Sequence, residues 1–188
     1  MQHKPEGEEV GWHRLNTEYP FTCRAFCLRQ DRIVLKGKHE FDFTYVESKG
    51  AVWIVPVTPD GQVVLIRQYR YSVDEWVWEV PAGGMFDHDG DLESLARLEL
   101  AEEVGGEADE MQYLGWFYGG AAMTDTRCYV YIAHNTRLSR QPEPEATESI
   151  EVHGMTIDEA IRMSRSGKMR DGRSALALLW SEPFLRKP

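Results

Sequence analysis

The chain has 188 residues, 42% of them hydrophobic, and its 21 basic and 31 acidic side chains give a net charge of −10. That is enough for one substantial core, with room for a small appendage. An acidic chain without a basic run argues against a nucleic-acid partner, and no apolar run approaches the ~18 residues of a membrane span. The opening MQHKPEGEEVGW holds no apolar signal core, so a cytoplasmic location is expected. Cys23, Cys27 and Cys128 make an odd set without a CxxC pair, and the histidines are scattered without ligand spacing. Reduced thiols are therefore expected, not a disulfide framework or a zinc site.

The segments FTCRAFCLRQ and RIVLK read as strands separated by a polar turn near Asp31-Arg32, with a third strand in HEFDFTYVES. Residues 1–47 thus form an N-terminal strand region, and residues 48–188 the main domain. AVWIVPV, a turn at Pro59-Asp60-Gly61 and QVVLIRQYR together predict a hairpin. WVWEV leads through Pro81-Ala82-Gly83-Gly84 towards a helix that stops at Gly105-Gly106. MQYLGWFYGG and RCYVYIA resume the sheet. A polar loop over roughly Thr136 to Glu148 precedes the strand SIEVHGM. Thr156 and Glu159 have capping-box spacing for a helix reaching about Ser166, and SALALLWSE forms the last helix. The pattern predicts an α+β fold, a mixed sheet with helices packed on it.

The central helix carries the chemistry. Glu99, Glu102 and Glu103 are three and four residues apart, so their carboxylates rise from one face, with Leu100, Ala101 and Val104 on the flank opposite. A solvated acidic face is the ordinary reading of three such residues taken alone. The frame of strand, Pro-Ala-Gly-Gly loop, helix and glycine stop favours a hard divalent cation held by oxygen ligands, Mg²⁺ or Mn²⁺.

That frame resembles the Nudix box, with Gly84, Glu99, Leu100, Glu102, Glu103 and Gly105 on the family's positions. Three positions depart from it: Gly90 stands for a glutamate, Leu98 for an arginine and Gly106 for an apolar residue. The missing glutamate and arginine form a brace in the family, so Leu98 is expected to be buried against Met85 or Phe86 instead. A gapped match aligns Gly90-Asp91 with the family's Gly-Glu and makes Asp91 the helix N-cap. VVLIRQYR, WEVPAG and the closing segment from Thr147 to Trp180 are similar to the ADP-ribose pyrophosphatase branch, which also cleaves other nucleoside diphosphate sugars. After Gly119-Gly120 the branch often carries Ser-Pro-Gly, where this chain has Ala121-Ala122-Met123.

The resemblance implies an α/β/α sandwich with an N-terminal antiparallel extension, and a homodimer built through that extension. It implies hydrolysis of the diphosphate bond in ADP-ribose or a related sugar, with Mg²⁺ held by the Ala82 carbonyl, Glu99, Glu102 and Glu103. Glu103 and Glu148 are the implied catalytic residues, Glu148 being the base for the attacking water and Glu145 its reserve. Arg70 is the implied diphosphate contact and Glu79 a substrate contact, although Glu79 could equally pair with Arg67 or Arg70. Trp53, Trp76 and Trp78 are candidates for base stacking, against their ordinary use as core. Two alternatives stand beside this reading: a hydrolase specific for GDP-mannose or a UDP-sugar, and a binding module of the same fold that does not cleave.

Overall fold

The computed structural model describes residues 4–86 and 91–186, and its chain divides into two units, residues 1–49 with 118–126 and residues 50–117 with 127–188. Gly90 lies outside the described residues. The first unit begins with a short helix, α1 (Pro5–Glu9), and continues as β1 (Trp12–Thr22), β2 (Cys27–Leu35) and β3 (His39–Glu47). These strands form an antiparallel sheet in the order β1-β2-β3. Trp12 meets Phe41 and Phe43 edge-on at 5.5 and 6.0 Å, and Ile33 and Tyr45 are buried.

The expected turn at Asp31-Arg32 is not there. The chain reverses between Cys23 and Phe26, where the Cys23 N–H donates to the Phe26 carbonyl at 3.0 Å, and β2 runs straight through Asp31. Asp31 is a strand residue because its charge is matched inside the sheet. It accepts from Arg29 Nε at 3.0 Å and from Thr17 Oγ1 at 2.6 Å, and Arg29 also donates to Glu47 at 2.6 Å. A buried acid matched in this way leaves neither charge unpaired.

The second unit contains β4 (Ala51–Pro56), β5 (Gln62–Arg70), β6 (Glu75–Glu79), β7 (Ala82–Gly84), α2 (Leu92–Val104), β8 (Gly106–Glu107) and β9 (Glu110–Tyr118). It continues with β10 (Arg127–His134), β11 (Arg137–Leu138), β12 (Ile150–Thr156), α3 (Ile157–Arg165) and α4 (Gly172–Leu185). One sheet is mixed, in the order β7-β4-β10-β9, with β4 parallel to β10 and antiparallel to β7. A second, antiparallel sheet has the order β12-β5-β6.

β4 and β5 do not pair as the expected hairpin; a single bridge, Val57 to Val63, joins them beside the turn. Each strand has both edges taken by other partners, so they pass into different sheets. Their side chains alternate between two cores. Trp53, Val55, Val63 and Leu65 pack with Ala160 and Ile161 of α3 and Ala177 and Leu178 of α4. Val52, Ile54, Val64 and Ile66 pack with Leu95, Ala96, Leu100 and Val104 of α2. A strand with period-two side chains buried on both faces gives the α/β/α layering. Thr156 caps α3, accepting from the Glu159 N–H at 3.2 Å. No helix among the described residues is long and apolar enough to cross a membrane.

Asp91 caps α2 by accepting from the Ser94 N–H at 2.7 Å, and Gly105 ends it with φ of 65°. A Cβ at Gly105 would lie 2.1 Å from the Arg140 carbonyl oxygen, so that position needs glycine for both its dihedral and its space. Leu98 departs from expectation. It is 44% exposed, whereas Met85 packs into the α2 core without it. Its place on the helix, one residue from Glu99 and two from Leu100, turns it away from the stripe that Leu95, Leu100 and Val104 bury. Gly105→Ala should therefore lower the melting temperature by roughly 2–12 °C, from about 1–3 kcal/mol of strain. Leu98→Arg should move it by no more than about 2 °C, as exposed substitutions do. Equal losses in the two melts would contradict this account of α2.

Candidate active site

β6 delivers Glu79 and, after Val80-Pro81, β7 runs beneath α2. Glu103 is buried there and accepts from the Ala82 N–H at 3.0 Å. Glu99, one turn earlier, lies on the Gly83 backbone, where a Cβ would come 1.8 Å from its carboxyl carbon. Only glycine leaves room for that carboxylate. Glu102, on the outer side of the helix, lines a cavity of about 480 Å³ with Leu98, Arg140 and Glu143. Its backbone carbonyl accepts from the Glu143 N–H at 2.8 Å, which ties the acidic loop to α2.

Within that loop Glu148 accepts from the Glu145 N–H at 2.9 Å, and its own N–H returns to the Glu145 carbonyl at 2.9 Å. Glu148 is half-buried and Glu145 exposed. Both lie within electrostatic reach of the helix. Burial, then Glu102, Glu148 and Glu145, push the Glu99 carboxyl up to about 7. Burial also raises Glu102, helped by Glu145, Glu148 and Glu143. Glu103 is raised well above the ordinary carboxylate range by burial, with Glu99 and Glu148 adding to it and the Ala82 N–H and Arg70 opposing it.

Among the described residues no three acidic, histidine or cysteine side chains stand close enough to hold one metal ion between them. The carboxylates are neighbours without being drawn onto one point. The donor set nonetheless fits a hard cation: these are carboxyl oxygens whose charged form burial and mutual repulsion disfavour until a positive charge joins them.

Arg70, the last residue of β5, reaches along the antiparallel β6 and donates to both Glu79 oxygens, Nε at 2.7 Å and Nη2 at 2.6 Å. Glu79 is buried, whereas Arg70 keeps 39% of its side chain exposed. Of the two pairings open to Glu79, the one with Arg70 is made; Arg67 goes to Glu151 at 3.4 Å. The Arg70–Glu79 fork lines a cavity of about 310 Å³ together with Arg170, Asp171 and Arg173.

Sequence reasoning passed over those last three residues, which lie just before the helix predicted over SALALLWSE. The signal there was two arginines around an N-cap aspartate. Asp171 accepts from the Ser174 N–H at 2.7 Å and pairs with Arg173 at 3.1 Å. Burial alone would raise the Asp171 carboxyl, but those contacts hold it below the ordinary range. Arg173 stacks over Trp53 at 5.4 Å; that tryptophan is buried and belongs to the core, not to a stacking surface.

The NUDIX domain family model matches residues 47–177. An ADP-ribose pyrophosphatase of Mycobacterium tuberculosis is 31% identical over 86% of this chain and 78% of the relative. A GDP-mannose pyrophosphatase of Escherichia coli K12 is 31% identical over 80% of each chain. The crystal structure of an ADP compounds hydrolase superposes with a TM-score of 0.80 at 18% identity, over 93% of this chain and 94% of the other, a likeness of fold. A matching family model, such relatives and a box helix set over a glycine-lined strand end agree: the chain belongs to the NUDIX family, on the branch that holds the ADP-ribose pyrophosphatases.

Proposed function

We propose that the chain is a metal-dependent hydrolase of the diphosphate bond in ADP-ribose or a related nucleoside diphosphate sugar. The observation that carries this reading is the crowding of Glu99, Glu102 and Glu103, with Glu145 and Glu148 beside them, without enough positive charge to balance them. Glu99, Glu102, Glu103 and the Ala82 carbonyl would hold the cation, Mg²⁺ with Mn²⁺ as a substitute. Such an ion acidifies water and offsets phosphate charge when bound.

The chain's own groups do the rest. Arg70, held by Glu79, presents its remaining guanidinium hydrogens to diphosphate oxygens, for which a planar fork is suited. Glu148, held by the loop hydrogen bond to Glu145, accepts the proton of the attacking water. Water adds to one phosphorus and the bridging P–O bond breaks. ADP-ribose would give AMP and ribose 5-phosphate. The same proposal places the chain in the cytoplasm, where the free thiols of Cys23, Cys27 and Cys128 would stay reduced.

Assaying ADP-ribose, GDP-mannose and UDP-glucose with Mg²⁺ separates the hydrolase readings from a binding module. At least one should be cleaved to a nucleoside monophosphate and a sugar phosphate. Glu103→Gln should remove most of that turnover and leave the fold intact, since an amide replaces an anionic ligand poorly. Turnover of the variant within a few-fold of wild type would sink the carboxylate site.

We further propose that residues 1–47 serve dimerisation. β1 leaves Leu15, Tyr19 and Phe21 about half exposed, an apolar set that suits a second copy of the chain. Light scattering at micromolar concentration should give twice the chain mass; a fully active monomer would rule the dimer out.

A further inference from the structure

We propose that the free edge of β6 carries a pocket for a nucleoside monophosphate group, with Trp76 as the platform for the base and Lys168 as the phosphate ligand. Successive β6 residues point to opposite faces, so Glu75, Val77 and Glu79 share one face and Trp76 and Trp78 the other. The register sets Trp78 opposite Arg67 and Trp76 opposite Tyr69. Arg67 covers one side of the Trp76 ring at 5.4 Å, and Trp76 remains 41% exposed. Trp78, half-buried, is fixed edge-on against His153 at 4.9 Å.

The other wall comes from the link between α3 and α4. Met169 is buried, and its N–H donates to the Met163 carbonyl at 3.2 Å, so the flanking Lys168 and Arg170 are turned outward. Both line the same cavity of about 310 Å³ as the two tryptophans. That volume is within the range of small-ligand sites, roughly 300–1,000 Å³.

Its charge runs against the molecule. In a chain of net charge −10, three cations, Arg67, Lys168 and Arg170, border this pocket with one acid, Glu75. Arg170 is matched by Glu75 at 2.7 Å and Arg67 by Glu151 at 3.4 Å. Lys168 has no acidic partner among the described residues. An indole face beside an unmatched ammonium suits a flat heteroaromatic ring joined to a phosphate. Glu75, Val77 and Arg170 also line the Arg70–Glu79 cavity, so the two pockets share a wall.

This deepens the hydrolase reading and rests on it, giving the nucleotide half of the substrate, or a free nucleoside monophosphate, a defined place. Calorimetric titration of AMP into wild type, Trp76→Ala and Lys168→Glu tests the pocket without turnover. Wild type should bind AMP, and each variant should bind it about tenfold more weakly, the scale of a lost stacking or charged contact. Lys168 is exposed, so its variant keeps the test decisive if Trp76→Ala fails to fold. Competitive inhibition of sugar hydrolysis by AMP that weakens in Trp76→Ala and Lys168→Glu would assign the pocket to the substrate's nucleotide half, and non-competitive inhibition that weakens in them to free nucleoside monophosphate. Unchanged AMP affinity in Lys168→Glu, or no AMP binding by wild type, would overturn the pocket while hydrolysis by wild type stands. Absence of hydrolysis across the sugar panel would instead overturn the function.

Discussion

A carboxylate packed against backbone loses hydration, and α2 packs two in this way. Glu103 is closed in against the Ala82 N–H and Glu99 is laid on the bare Gly83 backbone. One hydrogen bond from Ala82 and the reach of Arg70 do not balance the burial and mutual repulsion of these acids. An arrangement selected for stability alone would put alanine or leucine at such positions, as α2 does at Ala96 and Leu100. Acids kept there against their own solvation point to a ligand that repays the penalty, and we propose that it is a divalent cation.

The architecture follows from where this helix must sit. β4 and β5 are buried on both faces, so α2 can press on one side while α3 and α4 close the other. β7 extends the β4 sheet just far enough to bring Ala82 and Gly83 under the glutamates. β5 and β6 run antiparallel with Arg70 opposite Glu75, so the Arg70 side chain reaches along β6 to meet Glu79. The acidic loop is held to α2 by the Glu143 N–H. Groups from four distant stretches of sequence thus meet around the box helix.

Much of this was legible before any coordinates. Glu99, Glu102 and Glu103 announced themselves because helical spacing converts directly into a shared face, and Asp91, Thr156 and Gly105 because caps are local chemistry. Pairing was less legible, since it depends on which edges are already taken. β4 and β5 look like a hairpin in sequence, yet each is central in its own sheet. Asp31-Arg32 looked like a turn because the matching of Asp31 by Arg29 and Thr17 is a cross-strand property. Leu98 was misplaced because a departure from the family's ion pair does not say whether the substitute packs or faces solvent. Arg170 and Arg173 went unread because their relation to Arg70 spans about a hundred residues of chain.

The direct test is the metal-free protein's stability as a function of pH. Glu99 is raised from 4.5 to about 7 in the fold, so its favourable contribution is fully present below its unfolded value and is lost as pH rises through about 7. Glu102 and Glu103 are displaced in the same direction. The lowered carboxyls of Asp31 and Asp171 act only near and below 3.8, outside that window. With a chelator present, the melting temperature should fall from pH 5 to pH 8, and less so in Glu99→Gln. Added Mg²⁺ should raise it far more at pH 8 than at pH 5, because ionised carboxylates are what bind the ion. A metal-free melting temperature flat across this range, with no response to Mg²⁺ at pH 8, would contradict the cation site.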